Sequence, residues 1–106
     1  MVFTKLFIGV DLGTSAVKLS LVDEKGAIRN EVSREYPLFF PQPGWSEQKP
    51  EDWWAGVCSG MRELLAGADA SQVAGLGCGG QMHGLVVLDE NDAVIRPAIL
   101  WNDGRT

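Results

Sequence analysis

Two β-forming runs separated by a short glycine-bearing bend are the feature that most limits the folds open to this chain. The first run, residues 5–11, is almost entirely apolar and ends in an acid. The second run, residues 16–23, alternates apolar and polar side chains. A continuous apolar run of β-forming residues is typical of a strand covered on both faces. With a third, more polar run over residues 27–36, these segments predict a β-meander joined by short turns.

A helix and a crossover follow the meander. Prolines over residues 37–43 interrupt β-structure, and a helix is predicted to begin near Pro50 and to stop at Gly67. Apolar residues repeat along it at spacings of three and four, and we assign Trp54 to the buried stripe that they form. A second buried strand over residues 73–78 is then reached by a helical crossover from the meander.

The last third of the chain predicts more β-structure. Two strands are expected over residues 84–89 and 94–100, with a turn at residues 89–92 between them. The length of 106 residues permits one domain with one modest core. Strands interrupted by a helix indicate an α/β architecture, so the sequence predicts a mixed β-sheet with a crossover helix packed on it.

Charge and cysteine content narrow the partners and the compartment. The chain carries 9 Lys and Arg against 14 Asp and Glu, a formal charge of −5, and this balance argues against nucleic acid or an anionic membrane as a partner. It has no apolar run of about 18 residues that would span a membrane, and no secretory signal is visible. Cys58 and Cys78 are the only cysteines. We expect them to be buried, reduced thiols in a cytoplasmic protein.

The bend between the first two strands carries the first group of candidate ligands. Asp11 ends the first run, Gly13, Thr14 and Ser15 form the bend, and Lys18 follows. An acid at the end of a buried strand is costly unless a metal, a cation or several donors compensate it. Gly13 permits close approach of a phosphate, and the hydroxyls and the lysine add donors. This set suits a nucleoside triphosphate with Asp11 holding Mg²⁺ directly or through water. The alternative is a hairpin in which Asp11 bonds only turn amides.

A glycine-rich segment, residues 75–80, matches the G-x-G-x-x-G pattern of dinucleotide-binding sites. In those sites the glycines follow a strand and open a helix, whereas here a strand-like run over residues 85–88 comes next. Glycines within and after a strand fit close backbone packing instead, so we reject a dinucleotide site.

The loop that leaves the strand over residues 73–78 contains the only histidine. Gln81, Met82 and His83 place an amide, a thioether and an imidazole at a strand end, where α/β sheets commonly form ligand sites. Amide and imidazole groups bond sugar hydroxyls, and a methionine can contact an apolar sugar face. The alternative is a structural histidine. No metal site is expected on His83 because no second ligand has a suitable spacing.

A tryptophan beside a polar turn forms the last candidate group. Trp101 precedes Asn102 and Asp103. An aromatic ring next to polar side chains is a familiar way to hold a carbohydrate ring and bond its hydroxyls. The alternative is a core tryptophan followed by a surface turn, and the residues alone leave both interpretations open.

Five segments, taken together and in order, carry a family resemblance. They are Ile8–Ser15, Gly44–Gln48, Trp53–Trp54, Gly80–Gly84 and Pro97–Arg105. In this combination the chain closely resembles the N-terminus of FGGY carbohydrate kinases, above all of members that phosphorylate xylulose. The resemblance covers nearly the whole chain, which makes it far more specific than any one motif.

The resemblance implies the actin-like, ribonuclease-H-like ATPase fold, in which two α/β domains enclose ATP and a sugar in a cleft. It implies that residues 1–106 are the N-terminal part of the first domain, a fragment without the second domain. The catalytic aspartate base and the adenine pocket are then expected outside this chain, and the fragment alone is expected to be inactive. ATP and Mg²⁺ are the implied cofactors. The implied site residues are Asp11 for Mg²⁺ and catalysis, Gly13, Thr14, Ser15 and Lys18 for the ATP phosphates, and Gln81, Met82, His83, Trp101, Asn102 and Asp103 for the sugar.

The implied reaction transfers the γ-phosphate of ATP to D-xylulose and gives D-xylulose 5-phosphate. Met82 and His83 stand where glycerol kinases of the family carry an Arg-Glu pair, which favours a ketopentose. The alternatives are a ribulose, gluconate or glycerol kinase of the family, a chaperone or cytoskeletal ATPase of the same fold, and a non-catalytic interaction module. Apolar surface and strand edges uncovered by truncation also predict self-association as a homodimer.

Overall fold

A computed structural model describes residues 4–105 of the chain. Its architecture is α/β, with a four-stranded mixed sheet, a small two-stranded sheet and one long helix. A 3₁₀ turn at Ala70–Gln72 precedes the fifth strand. The strands are β1 (Leu6–Leu12), β2 (Ala16–Asp23), β3 (Ile28–Glu35), β4 (Glu47–Gln48), β5 (Val73–Gly80) and β6 (Ala98–Ile99), and the helix is α1 (Pro50–Leu65).

The four-stranded sheet has the order β3-β2-β1-β5. β1, β2 and β3 form the predicted antiparallel meander, and β5 returns parallel to β1 after the helix. The mixed sheet and the helical crossover are therefore confirmed. The register places Asp11 opposite Lys18 across the β1–β2 pair. Leu12 lies opposite Gly80, so the ends of β1 and β5 meet at one edge of the sheet.

One face of the sheet forms the core. Leu6, Ile8 and Val10 of β1 alternate inward and pack with apolar residues of β2, β3 and α1. The opposite face of β1 is exposed, with Phe7 at 40% of its full accessibility. The expectation that β1 is covered on both faces is therefore wrong for the described residues. The reason is that α1, the long helix of this part of the chain, packs on only one side of the sheet.

Helix α1 begins as predicted, with Pro50 in its first turn, and ends at Leu65, two residues before Gly67. Trp53 packs against the core, but Trp54 is 69% exposed, so its assignment to the core is wrong. With 3.6 residues per turn, Trp53 lies on the same helix face as Val57, and Trp54 is rotated away from that face. No helix among residues 4–105 is long and apolar enough to span a membrane.

The predicted strand over residues 73–78 exists as β5 but is not buried. It lies at the edge of the sheet and is exposed over most of its length. Cys78 is accordingly exposed and Cys58 is half-buried, which corrects the expectation of two buried thiols; both cysteines are free. Small residues explain the difference, because a strand rich in glycine has few side chains to pack against α1.

The two strands predicted over residues 84–89 and 94–100 are largely absent. The described segment contains the isolated pairs Leu85–Ile99 and Leu88–Val94 and the two-residue strand β6, which pairs with β4. The turn between them is confirmed, since the amide of residue 89 donates to the carbonyl of residue 93 at 2.9 Å. The partner of β6 is β4, which lies between the prolines and the helix and for which no strand was predicted.

Candidate functional site

The bend between β1 and β2 is held closed by backbone contacts. Gly13 N–H donates to the Ala16 carbonyl at 2.9 Å, and a Cβ at Gly13 would lie only 3.0 Å from that oxygen. The buried Tyr36 hydroxyl donates to the Gly13 carbonyl. Burial, followed by the negative charge of Asp11, raises the pKa of Tyr36 to about 12. The bend therefore has a fixed shape, with Ser15 exposed at its tip.

Thr14 connects this bend to the last candidate group. The Trp101 indole N–H donates to the Thr14 hydroxyl at 3.3 Å. Because an indole nitrogen can only donate, the hydroxyl acts as the acceptor in this bond and its own proton remains available for another acceptor. Trp101 is 56% exposed, so the interpretation of it as a core residue does not hold.

Asp11 lies on the open face of the sheet. Its side chain is exposed, which corrects the expectation of a buried acid, because alternation along β1 points it away from the face that α1 covers. Lys18 is its cross-strand neighbour and pairs with Glu31 at 3.3 Å. Asp11 and Lys18 line a shallow hollow together with the backbone of residues 77–79.

The Gln81-Met82-His83 loop starts where β5 ends. The backbone N–H of Gln81 donates to the Leu12 carbonyl at 2.9 Å and so holds the end of β5 against β1. His83 has a φ of 61°, a left-handed conformation that is rare outside glycine, and Met82 is 72% exposed. The loop therefore presents the thioether and the imidazole to solvent at the sheet edge.

A buried glutamine that the sequence analysis left without a role links these elements. Gln48 of β4 is 1% exposed, and its Nε2 donates to the Thr14 carbonyl. Its Oε1 accepts from Trp53 Nε1 at 3.0 Å and from Gln81 Nε2 at 3.1 Å. The only available signal was its place in the segment Gly44–Gln48, which the family resemblance includes but to which no chemistry was assigned.

Ionic contacts hold residues 103–105 against the segment that precedes α1. The Asp103 side chain is 1% exposed and accepts from Ser46 N at 2.7 Å and from Arg105 Nη2 at 2.5 Å. The Arg105 guanidinium, with the Ser46 amide, holds the pKa of Asp103 well below its usual range. Arg105 also contacts the buried Glu47 at 2.8 Å, and Arg96 contacts the same carboxylate at 2.5 Å. The carboxylate of Asp103 is thus occupied by protein groups.

The structure brings three of the predicted motifs to one hollow of about 350 Å³. Asp11 and Lys18 line a separate hollow on the face of the sheet, and Asn102 lines a third one with the proline-rich loop before β4. Gly79 lines the hollow that contains Asp11 and Lys18, and Gly80 lines the shared hollow. The shared hollow is lined by Thr14, Gly80, Gln81, Met82, His83 and Trp101.

The donor set around Asp11 fits magnesium bound together with phosphate oxygens. No three metal-binding side chains of the described residues come together, so Asp11 is not part of a complete protein cage for a metal. Magnesium is commonly bound through one or two carboxylates, water and the phosphates of a nucleotide. A single exposed carboxylate beside a glycine-rich strand leaves room for those other ligands.

Comparison with known proteins gives consistent matches. Residues 6–106 match the model of the FGGY family of carbohydrate kinases, N-terminal domain. A xylulose kinase of Bacillus subtilis is 48% identical over 104 residues, which are 96% of this chain and 21% of that protein. The chain thus spans about a fifth of the length of such relatives.

Solved structures agree with the sequence matches. A xylulose kinase from Rhodospirillum rubrum superposes with a TM-score of 0.90 at 34% identity, over 95% of this chain and 21% of that one. A gluconate kinase from Lactobacillus acidophilus superposes with a TM-score of 0.88 at 32% identity, over 94% of this chain and 20% of that one. The fold is therefore the actin-like, ribonuclease-H-like fold of sugar kinases. The chain belongs to the FGGY family of carbohydrate kinases.

Proposed function

We propose that the protein carrying this chain transfers the γ-phosphate of ATP to D-xylulose and so forms D-xylulose 5-phosphate. The observation that carries the proposal is the hollow in which Thr14 of the β1–β2 bend meets Gln81, Met82, His83 and Trp101. A phosphate-binding bend and a sugar-binding loop have to share one space for a phosphoryl group to pass between two substrates. The names of the relatives favour xylulose among the possible sugars.

In this proposal the β1–β2 bend binds the triphosphate. The amides of Thr14 and Ser15 and the hydroxyl proton of Thr14 face the phosphates, and Lys18 adds positive charge. Gly13 gives the bend its shape, because its own N–H donates to the Ala16 carbonyl. Asp11 holds Mg²⁺, directly or through water. When bound, Mg²⁺ neutralises charge on the transferred phosphate. Because the bend is fixed by backbone contacts and by Tyr36, its donors do not need to reorganise when ATP binds.

The sugar is proposed to lie against the loop that follows β5. Met82 offers a polarizable contact for an apolar sugar face, and His83 and Gln81 bond hydroxyls. Trp101 provides a ring beside them, with Asn102 and Asp103 next in the chain. Asp103 is held by its ionic contacts, and we propose that it acts on the sugar through the position of Trp101 rather than by a free carboxylate.

The domain, the compartment and the assembly complete the proposal. Residues 1–106 form the N-terminal part of the first kinase domain. The reaction takes place in the cytoplasm, in keeping with the free thiols of both cysteines. An exposed apolar groove between α1 and β5, whose lining includes Val57, Met61 and the exposed Leu76, supports association into a homodimer. Light scattering that shows a monodisperse monomer at high concentration would exclude the dimer.

The substrate assignment is tested by kinetics of the full-length protein that carries this chain. ATP-dependent phosphorylation is measured with xylulose, ribulose, gluconate and glycerol. We expect xylulose to give the highest kcat/KM. Phosphorylation of glycerol but not of xylulose would refute the proposal. Gluconate is the second candidate, because the gluconate kinase structure superposes nearly as well as the xylulose kinase structures.

A further inference from the structure

The orientation of one buried amide follows from the chemistry of a tryptophan. The Trp53 indole nitrogen lies 3.0 Å from Oε1 of Gln48. An indole N–H donates and cannot accept, so the Gln48 atom that faces it has to be the carbonyl oxygen. The other end of the Gln48 side chain is then the amide nitrogen, which donates to the Thr14 carbonyl. Both ends of the buried side chain are thus assigned without ambiguity.

The same reasoning fixes the neighbouring amide. Gln81 lies 3.1 Å from the Gln48 Oε1, so the Gln81 atom at this contact has to be the donor Nε2. That nitrogen also lies 3.5 Å from the Gly13 carbonyl oxygen, a second acceptor on the same side. The Gln81 Oε1 consequently points the other way. It is buried and has no hydrogen-bond partner among the described residues.

A buried carbonyl oxygen without a donor costs free energy, so it is expected to gain a partner when the site is filled. Gln81 lines the hollow that Met82, His83 and Trp101 also line. We propose that Trp53 and Gln48 are positioning residues that orient Gln81, so that its carbonyl oxygen accepts a hydrogen bond from a sugar hydroxyl. This inference rests on the proposed sugar-kinase function, and it requires that one hydroxyl of the bound sugar donate to the carbonyl oxygen of Gln81.

The inference is tested in the full-length protein with Trp53→Phe, which keeps an aromatic side chain and removes the N–H donor. Without the indole N–H, Gln48 is held only by its bond to the Thr14 carbonyl, so its Oε1 and the Gln81 amide that donates to it are oriented less firmly. We expect KM for the sugar to rise about tenfold, the factor that corresponds to one hydrogen bond, with KM for ATP unchanged. Trp54→Phe is the matched control, because Trp54 is exposed and outside the contact chain, and it should leave both constants unchanged.

A double variant distinguishes positioning from a general loss of structure. Gln81→Met removes the acceptor and should raise KM for the sugar by a similar factor. If Trp53 acts through Gln81, Trp53→Phe combined with Gln81→Met will raise KM no further than Gln81→Met alone. Effects that multiply in the double variant would overturn the inference, since two independent losses do so.

Failure of the sugar-kinase function itself gives a different result. In that case the unmodified protein phosphorylates none of the sugars, and the amide orientation is measured in this chain by NMR. We expect the Gln81 side-chain NH₂ to exchange slowly with solvent, faster after Trp53→Phe, and unchanged after Trp54→Phe. Equal exchange in the unmodified chain and in Trp53→Phe would overturn the orientation by Trp53 and Gln48.

Discussion

Replacing Gly80 by alanine tests whether the edge between β1 and β5 is as close as the structure shows. A Cβ at Gly80 would lie 2.7 Å from the Leu12 carbonyl oxygen and 3.0 Å from the Leu12 Cβ. Both atoms belong to the rigid end of β1, so no side-chain rotation relieves the overlap. The adjacent Gly79 is the matched control, because a Cβ there meets nothing within 4 Å.

The expected size of the effect follows from these contacts. Overpacking against backbone costs about 1–3 kcal/mol, and displacement of β5 also weakens the Gln81 N–H bond to Leu12, worth about 1 kcal/mol. Gly80→Ala should therefore lower the free energy of unfolding by about 2–4 kcal/mol. Gly79→Ala should stabilise by up to about 1 kcal/mol, because it only restricts the unfolded chain.

Urea unfolding followed by tryptophan fluorescence measures both variants. With an m value of about 1.5 kcal/mol/M, the two midpoints should differ by roughly 2 M. The close contact between Gly80 and Leu12 would be refuted if the free energies of unfolding of Gly80→Ala and Gly79→Ala differ by less than about 0.5 kcal/mol. A change of m alone would indicate an altered unfolded state and would be separated by fitting both parameters.

Three further outcomes follow from single residues. Tyr36 is the only tyrosine, so an alkaline absorbance titration of the folded protein should show its midpoint near pH 12. Asp11→Asn should lower that midpoint, because it removes a nearby negative charge. A folded-state midpoint near pH 10 would contradict the burial of Tyr36. Because the raised pKa exceeds that of the unfolded chain, the stability from neutral Tyr36 is present below about pH 10 and is lost toward pH 12. Arg105 lowers the pKa of Asp103, so the stability that the ionised Asp103 contributes is present above about pH 4 and is lost at lower pH. Asp103→Asn should therefore flatten the fall of Tm in acid. An unchanged slope of Tm against pH would contradict this contribution. Asp92 has a φ of 63°, so Asp92→Val should lower stability by about 1 kcal/mol in thermal unfolding while Asp92→Gly does not; equal effects contradict the left-handed turn.

Alternation and turn chemistry were enough to predict the meander and the crossover. β2 has the predicted bounds, and β1 and β3 differ from them by one residue at each end. The assignment of Trp54 failed because two adjacent tryptophans fit the same apolar spacing, and only packing chooses the one that faces the sheet. The strands predicted over 84–89 and 94–100 failed because apolar runs do not show whether a neighbouring strand exists to pair with them.

The candidate site was predictable as a set of segments but not as an arrangement. Thr14 and Trp101 are 87 positions apart and are joined by one hydrogen bond. The role of Gln48 depends on contacts with the bend, the helix and the loop after β5, and no local pattern marks a glutamine as their common partner. The roles of the site residues toward ATP and sugar remain predictions.

The sequence by itself determined the local conformations of the meander and of helix α1, because hydrophobic period, glycine and proline act over a few neighbouring residues. It also determined the family, because five short segments of the chain resemble those of the family and stand in the same order. Only the tertiary structure decided that Asp11 faces the open side of the sheet and that Gln48 joins three elements. Those facts depend on which face α1 covers and on pairings between distant residues, and a linear pattern contains neither.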